Sequence, residues 1–200
     1  METQQKGKLI IICGPTASGK DAIMHNLLKL HPDYERIVTS TTRPPRDLER
    51  DGIDYNFISK EDFQKQEGNR DFIEVNEYAQ NLYGTPKSEF QKVLDGKTII
   101  WRVDPTMAAR AKDFFKTSFP KDEGEELSKR TLVIYVYSEP EIIKQRLAAR
   151  GMDDEEVNRR ITQDTKNWEE CKDKFDFVVE NLEGELDETV KKIIDIIQSH

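Results

Sequence analysis

The chain has 200 residues, 36% of them hydrophobic and 35% charged, with 31 Lys and Arg against 39 Asp and Glu for a formal net charge of −8. That length suits one domain or a core with small inserted modules, no apolar run is long enough to cross a bilayer, and the acidic balance argues against general nucleic-acid binding, which needs a basic surface. Cys13 and Cys171 lie far apart and suggest neither a disulfide framework nor a structural zinc site, and the start of the chain carries no secretory signal, so the cytoplasm is the expected location.

Residues 8–13 (KLIIIC) read as a buried strand. They run into Gly14-Pro15-Thr16-Ala17-Ser18-Gly19-Lys20, which matches the phosphate-binding pattern G-x-x-x-x-G-K, and residues 21–30 then carry apolar side chains at helical spacing. Strand, glycine loop and helix make a phosphate cradle. The glycines let backbone N–H groups turn inward, the helix N-terminus adds positive potential, and Lys20 reaches the outer phosphates. The pattern continues with Ser or Thr, whose hydroxyl ligates Mg²⁺, but Asp21 stands there. A carboxylate can hold Mg²⁺ directly or through water, and an acid also suits a helix first turn, so both readings stand.

Further strands are expected at 36–40, 98–103, 131–137 and 175–180, and helices at 105–115, 139–150 and 185–198. Ser138-Glu139-Pro140-Glu141 is a capping signature for the second of these helices, and Gly151 ends it. The last places Leu186, Val190, Ile193, Ile194 and Ile197 on one face. Alternating strands and helices imply an α/β fold, a parallel sheet covered on both sides. Between residues 39 and 96 the strand candidates (55–58, 72–75, 82–85) are shorter and more polar, with modest helices at 60–66 and 87–94. That segment reads as a small mixed α/β module inserted into a core of 1–38 and 97–200. Residues 116–130 read as an exposed loop without chemistry, and 152–173 as a polar helical arm that is mobile.

The arginines cluster. Arg36, Arg43, Arg46 and Arg50 fall in one segment and Arg146, Arg150, Arg159 and Arg160 in another. An acidic body with two such clusters suits a small polyanion.

The inserted module carries Thr41-Thr42-Arg43-Pro44-Pro45-Arg46, then Asp54-Tyr55-Asn56-Phe57, Phe72-Ile73-Glu74 and Tyr83-Gly84-Thr85. In this order and spacing the chain resembles the guanylate kinase family over essentially its whole length. The resemblance implies a three-layer phosphate-loop fold with a nucleoside-monophosphate-binding module at 39–96 and a helical lid at about 140–170. It implies that Arg43, Arg46, Tyr55 and Tyr83 grip the phosphate of GMP, that Glu74 and Asp104 read the guanine edge, and that Thr39 and Thr85 add hydroxyl contacts to the base. ATP would lie on the loop from Gly14 to Asp21, under Arg146, Arg150 and Arg160, with Asn181 near its base. The implied reaction is ATP + GMP giving ADP + GDP, with Lys20, Arg43, Arg146 and Arg160 acting on the transferring group and Mg²⁺ as cofactor, Asp21 being its candidate ligand. The partners are then small nucleotides, with no nucleic acid and no membrane, and the oligomeric state is left open.

Two positions depart from the family pattern. Asp21 is one. The other is Arg102, where the family usually has an acid two positions before the second guanine-reading carboxylate. Residues i and i+2 of a strand share a face, so Arg102 is expected beside Asp104, pairing with it or taking a ligand phosphate. Two alternatives therefore stay open: a related phosphotransferase with another acceptor, such as another nucleoside monophosphate or a ribose bisphosphate, and a non-catalytic guanylate-kinase-like domain that binds proteins.

Overall fold

The computed structural model describes residues 6–200. Strand β1 (Leu9–Cys13) is wholly buried. Alternate side chains of a strand point to opposite faces. Leu9, Ile11 and Cys13 accordingly enter one apolar cluster, and Ile10 and Ile12 enter another. This is why the run has no polar partner in its alternation: the strand is covered on both sides.

β1 lies at the middle of a five-stranded parallel sheet. Its other strands are β2 (Glu35–Arg36), β7 (Ile99–Arg102), β8 (Thr131–Tyr137) and β9 (Phe177–Glu180), in the order β2-β7-β1-β8-β9. Helices α1 (Lys20–Leu30) and α8 (Leu186–Ser199) cover one face through Ile23, Leu27, Val190, Ile193 and Ile197. The other face takes Phe90 from α3 (Ser88–Leu94), Phe115 from α4 (Pro105–Ser118) and Leu127 from α5 (Lys121–Lys129). The result is the three-layer α/β arrangement that the alternating pattern implies.

A second sheet interrupts the first. Its strands are β3 (Ser40–Thr41), β4 (Asn56–Phe57), β5 (Phe72–Tyr78) and β6 (Asn81–Pro86), ordered β4-β3-β6-β5 with mixed directions. Helix α2 (Lys60–Gly68) buries Phe63 against it, stacked on Phe72 at 4.5 Å. The expected strand at 36–40 is thereby corrected. The chain leaves the central sheet after Arg36 and joins the second at Ser40. Between them Val38 donates its N–H to the buried Glu89 carboxylate at 3.0 Å, which secures the crossing.

Residues 116–130 are not a loop. α4 runs on to Ser118 and α5 follows at once. α5 has one large apolar residue, Leu127, fully buried, and its inner face is completed by Gly124 and Ser128. A Cβ on Gly124 would stand 2.4 Å from the Phe115 carbonyl, so glycine permits the close approach of the two helices. A buried face made of small residues escapes a search for apolar periodicity.

The polar segment 152–173 is also more tightly held than a free arm. It forms α7 (Asp154–Cys171), capped by the Asp153 side chain. Val157 packs beside Ala17, Ile143 and Leu147, next to α6 (Pro140–Ala148). At the far end Trp168 lies 4.7 Å from the Tyr135 ring and 6.2 Å from Phe175.

Candidate active site

The loop between β1 and α1 is shaped by glycines where nothing else fits. Gly14 and Gly19 have φ of 141° and 98°, and a Cβ on either would come within 2.2 Å of the Val136 carbonyl or 2.3 Å of the Asn181 amide. Lys20 folds back over the loop, its Nζ donating to the carbonyls of Gly14 at 2.9 Å and Pro15 at 2.5 Å. Burial, followed by the nearby Arg102 cation, lowers the Lys20 pKa to about 8.

Asn181 is buried, its Nδ2 donates to the Ser18 carbonyl at 2.8 Å, and its Oδ1 accepts from Thr189 at 3.1 Å. Ser138 Oγ donates to the Asn181 carbonyl at 2.9 Å. The amide therefore braces the phosphate loop from its buried position. A second loop contact had no signal in the sequence. Asp164, on the same packed face of α7 as Ile161 and Trp168, accepts from the Thr16 backbone N–H at 2.9 Å. A carboxylate thus occupies a loop amide of the kind that receives phosphate oxygens. Burial raises its pKa, opposed by the Thr16 hydrogen bond and by Lys20.

Two of the three arginines expected over the nucleotide rest on carboxylates. Arg146 pairs with Glu183 at 2.6 Å while its Nη1 donates to the Ala17 carbonyl at 3.1 Å, which places it against the phosphate loop. Arg160 pairs with Glu156 at 2.7 Å, and Arg150 is exposed just past the end of α6.

On the inserted module, Arg43, Arg46, Tyr55 and Tyr83 surround one cleft of about 400 Å³. Glu49 organises it, and the sequence reading gave Glu49 no role. Its carboxylate accepts two bonds from the Arg43 guanidinium, at 2.8 and 3.0 Å, and a third from the Arg46 backbone N–H at 2.8 Å. Arg43 holds the Glu49 pKa down to about 2. The guanidinium also lies over the Tyr55 ring at 5.3 Å, and the Tyr55 and Tyr83 rings meet edge to face at 6.1 Å. Glu74 accepts from the Thr85 hydroxyl at 3.1 Å. Burial raises the Glu74 pKa, the Thr85 bond lowers it, and the facing Asp104 charge raises it further. Thr39 lines a separate cleft with Arg36, Tyr55 and Arg102.

Asp104 caps α4. Its Oδ1 accepts from the Thr106 and Met107 backbone N–H groups at 2.9 and 3.1 Å, and from the Thr106 hydroxyl. Arg102 pairs not with Asp104 but with Asp21, Nε to Oδ1 at 3.0 Å. The expected pairing with Asp104 is corrected, and the two departures from the family pattern meet each other. This bears on magnesium. The side chain at the hydroxyl position is a carboxylate already facing a guanidinium, and the nearest acid on the adjacent strand end is engaged in a helix cap. Among the described residues no group of three or more His, Cys, Asp or Glu side chains could hold a metal ion. The donor set does not fit a protein-held Mg²⁺, and the expectation that Asp21 ligates it is replaced by the ion pair.

The sequence model of the guanylate kinase family matches residues 6–200. A guanylate kinase from Nostoc sp. is 34% identical over 182 residues, covering 90% of this chain and 85% of that relative. One from Synechocystis sp. is 32% identical over 198 residues, covering 98% and 96%. The fold is similar to the crystal structure of guanylate kinase from Anaplasma phagocytophilum, with a TM-score of 0.64 at 21% identity over 98% of this chain and 86% of that one.

Proposed function

The chain belongs to the guanylate kinase family, and from that premise we propose that it transfers the γ-phosphoryl group of ATP to GMP, giving ADP and GDP. The observation that carries this reading is a pair of clefts, one at the phosphate loop beside the β7 end and one on the inserted module. One is lined by Gly14, Thr16 and Lys20, the other by Arg43, Arg46, Tyr55 and Tyr83. One cleft suits the phosphates of a donor and the other the phosphate of an acceptor.

A GMP phosphate oxygen attacks the γ-phosphorus of ATP. The new P–O bond forms as the bond to the β,γ-bridging oxygen breaks, and the electron pair leaves with ADP. No side-chain nucleophile is needed, so catalysis is positioning and charge neutralisation. Lys20 leaves its loop carbonyls for the β,γ-phosphates. Arg43 offers a guanidinium fork to the acceptor phosphate, with Arg46 and the Tyr55 and Tyr83 hydroxyls as further donors. Arg146 and Arg160 close on the transferring oxygens, with Arg150 beside them. Glu74 and Asp104 accept from guanine N1–H and its 2-amino group, and Thr39 and Thr85 add hydroxyls. Adenine would leave these carboxylates without donors, which is how a buried hydrogen-bonding site discriminates. Mg²⁺, when present with ATP, would supply further neutralisation of the phosphate charge, and no step here is assigned to it.

An ADP-release assay with ATP and a panel of nucleoside monophosphates plus ribose 1,5-bisphosphate tests the reading. Turnover is expected with GMP. Turnover only with another acceptor, or with none, overturns it.

A further inference from the structure

Arg102 stands at the seam between the two halves of the site. It ends β7, at the carboxyl edge of the parallel sheet where α/β folds bind ligands. It lines the cleft that holds Gly14, Thr16 and Lys20, and it also lines the cleft that holds Thr39, Glu49 and Tyr55. A phosphoryl group passing from donor to acceptor crosses that seam.

The guanidinium is free to take a ligand. Its only ionic partner among the described residues is Asp21, in a pair that is open to solvent, with side-chain exposures of 46% and 75%. Such pairs hold weakly and exchange readily. Among the described residues only Asp21, 3.0 Å from Nε, faces the guanidinium, and its remaining N–H donors are left to the two clefts that it lines. Phosphate oxygens match that fork.

The pairing also has a pattern. Phosphate-loop enzymes hold Mg²⁺ with a hydroxyl after the loop lysine and an acid from a neighbouring strand. Here the helix position is the anion Asp21, and the strand-end position next to β1 is the cation Arg102, opposite Ile12 in the register. While paired the two charges cancel, and a guanidinium drawn off Asp21 brings a cation to where the metal's field would act.

We propose that Arg102 is a phosphate-binding residue at the transfer point, supplying the positive charge that a protein-held metal would supply, with Asp21 as the anchor that holds it between turnovers. The inference rests on the proposed kinase reading for the identity of the phosphate, which is that of ATP. On ATP binding the guanidinium moves from the Asp21 carboxylate to the outer phosphate oxygens, and ATP is gripped without a metal ligand from the chain.

Calorimetric titration with ATP alone, in Mg²⁺ and again in EDTA, tests this. No acceptor is present, so failure of GMP as a substrate would show in the turnover assay and not here. The unsubstituted protein is expected to bind ATP with less than about a threefold loss on removal of Mg²⁺. Arg102→Ala is expected to weaken binding in EDTA at least about tenfold, the range of a charge-assisted hydrogen bond. Arg102→Lys, which keeps the charge but not the fork, is expected to fall between them. Asp21→Ala is expected to bind ATP as tightly as the unsubstituted protein or more tightly in both buffers, since the anchor is gone. Arg102 is exposed, and matching melting curves for the variants establish that they fold. Arg102→Ala binding ATP in EDTA as tightly as the unsubstituted protein overturns the proposal. So does an Asp21→Ala defect confined to the Mg²⁺ buffer, which would make Asp21 a metal ligand.

Discussion

Lys20 is held ready by three loop acceptors, the Gly14 and Pro15 carbonyls and the Ser18 hydroxyl, and by a pKa lowered to about 8. The amine is charged below that pH and loses its charge above it. In the free enzyme, kcat/KM for ATP is therefore expected to fall as pH rises through about 8. Lys20→Ala is expected to lower kcat by about 10²- to 10³-fold and to flatten that limb, and near-normal turnover would end the loop assignment. Glu74 is the converse case, a half-buried acceptor whose hydroxyl partner Thr85 fixes its rotamer. Glu74→Ala should lower the ratio of kcat/KM for GMP over AMP at least about tenfold while the phosphate grip survives, and an unchanged ratio would remove Glu74 from base reading. Asp164 sits on a loop amide of the kind that receives phosphate oxygens. Asp164→Ala should tighten ATP binding roughly 2- to 5-fold by removing a like charge, and weaker binding would mean that the carboxylate supports the loop instead.

Among the elements, α5 shows how a helix can be carried by one side chain. Leu127 is fully buried against Phe115 and its neighbours, while Gly124 lets α4 come close. Leu127→Ala is expected to destabilise the fold by about 2–5 kcal/mol in urea unfolding, and a change within experimental error would mean that α5 is dispensable. The central strands were legible beforehand because full burial on both faces demands an unbroken apolar run, as in β1. The split between β2 and β3 was not, because each is two residues long and the reason for the break lies elsewhere, in the Glu89 carboxylate that receives Val38. α7 was recognised as helical, but not how it is held. Trp168 is one aromatic residue in a charged helix, and only the Tyr135 and Phe175 rings it meets make it an anchor.

Across the whole molecule the arginines of the site are held by carboxylates in this arrangement: Arg43 by Glu49, Arg146 by Glu183, Arg160 by Glu156 and Arg102 by Asp21. An acidic chain thereby keeps its cations from repelling one another while the clefts are open. Bringing two polyphosphates together is expected to exchange these partners and to draw the module and α6–α7 inward, which would exclude water from the transferring group. Fluorophores placed at the β5–β6 turn and on α7 are expected to approach only when ATP analogue and GMP are both present, and a fixed separation would sink the closing motion. The residue order by itself determined the phosphate loop, the inserted module and its Arg43, Tyr55, Glu74 and Tyr83 pattern, because local spacing and residue chemistry are written along the chain. Only the tertiary structure decided that Asn181 braces the loop, that Glu49 holds Arg43 and that Arg102 answers to Asp21. The Asn181 and Arg102 contacts join distant parts of the chain, and that of Glu49 depends on a loop conformation. Which oxygen meets which nitrogen is set by how the sheet and its helices pack.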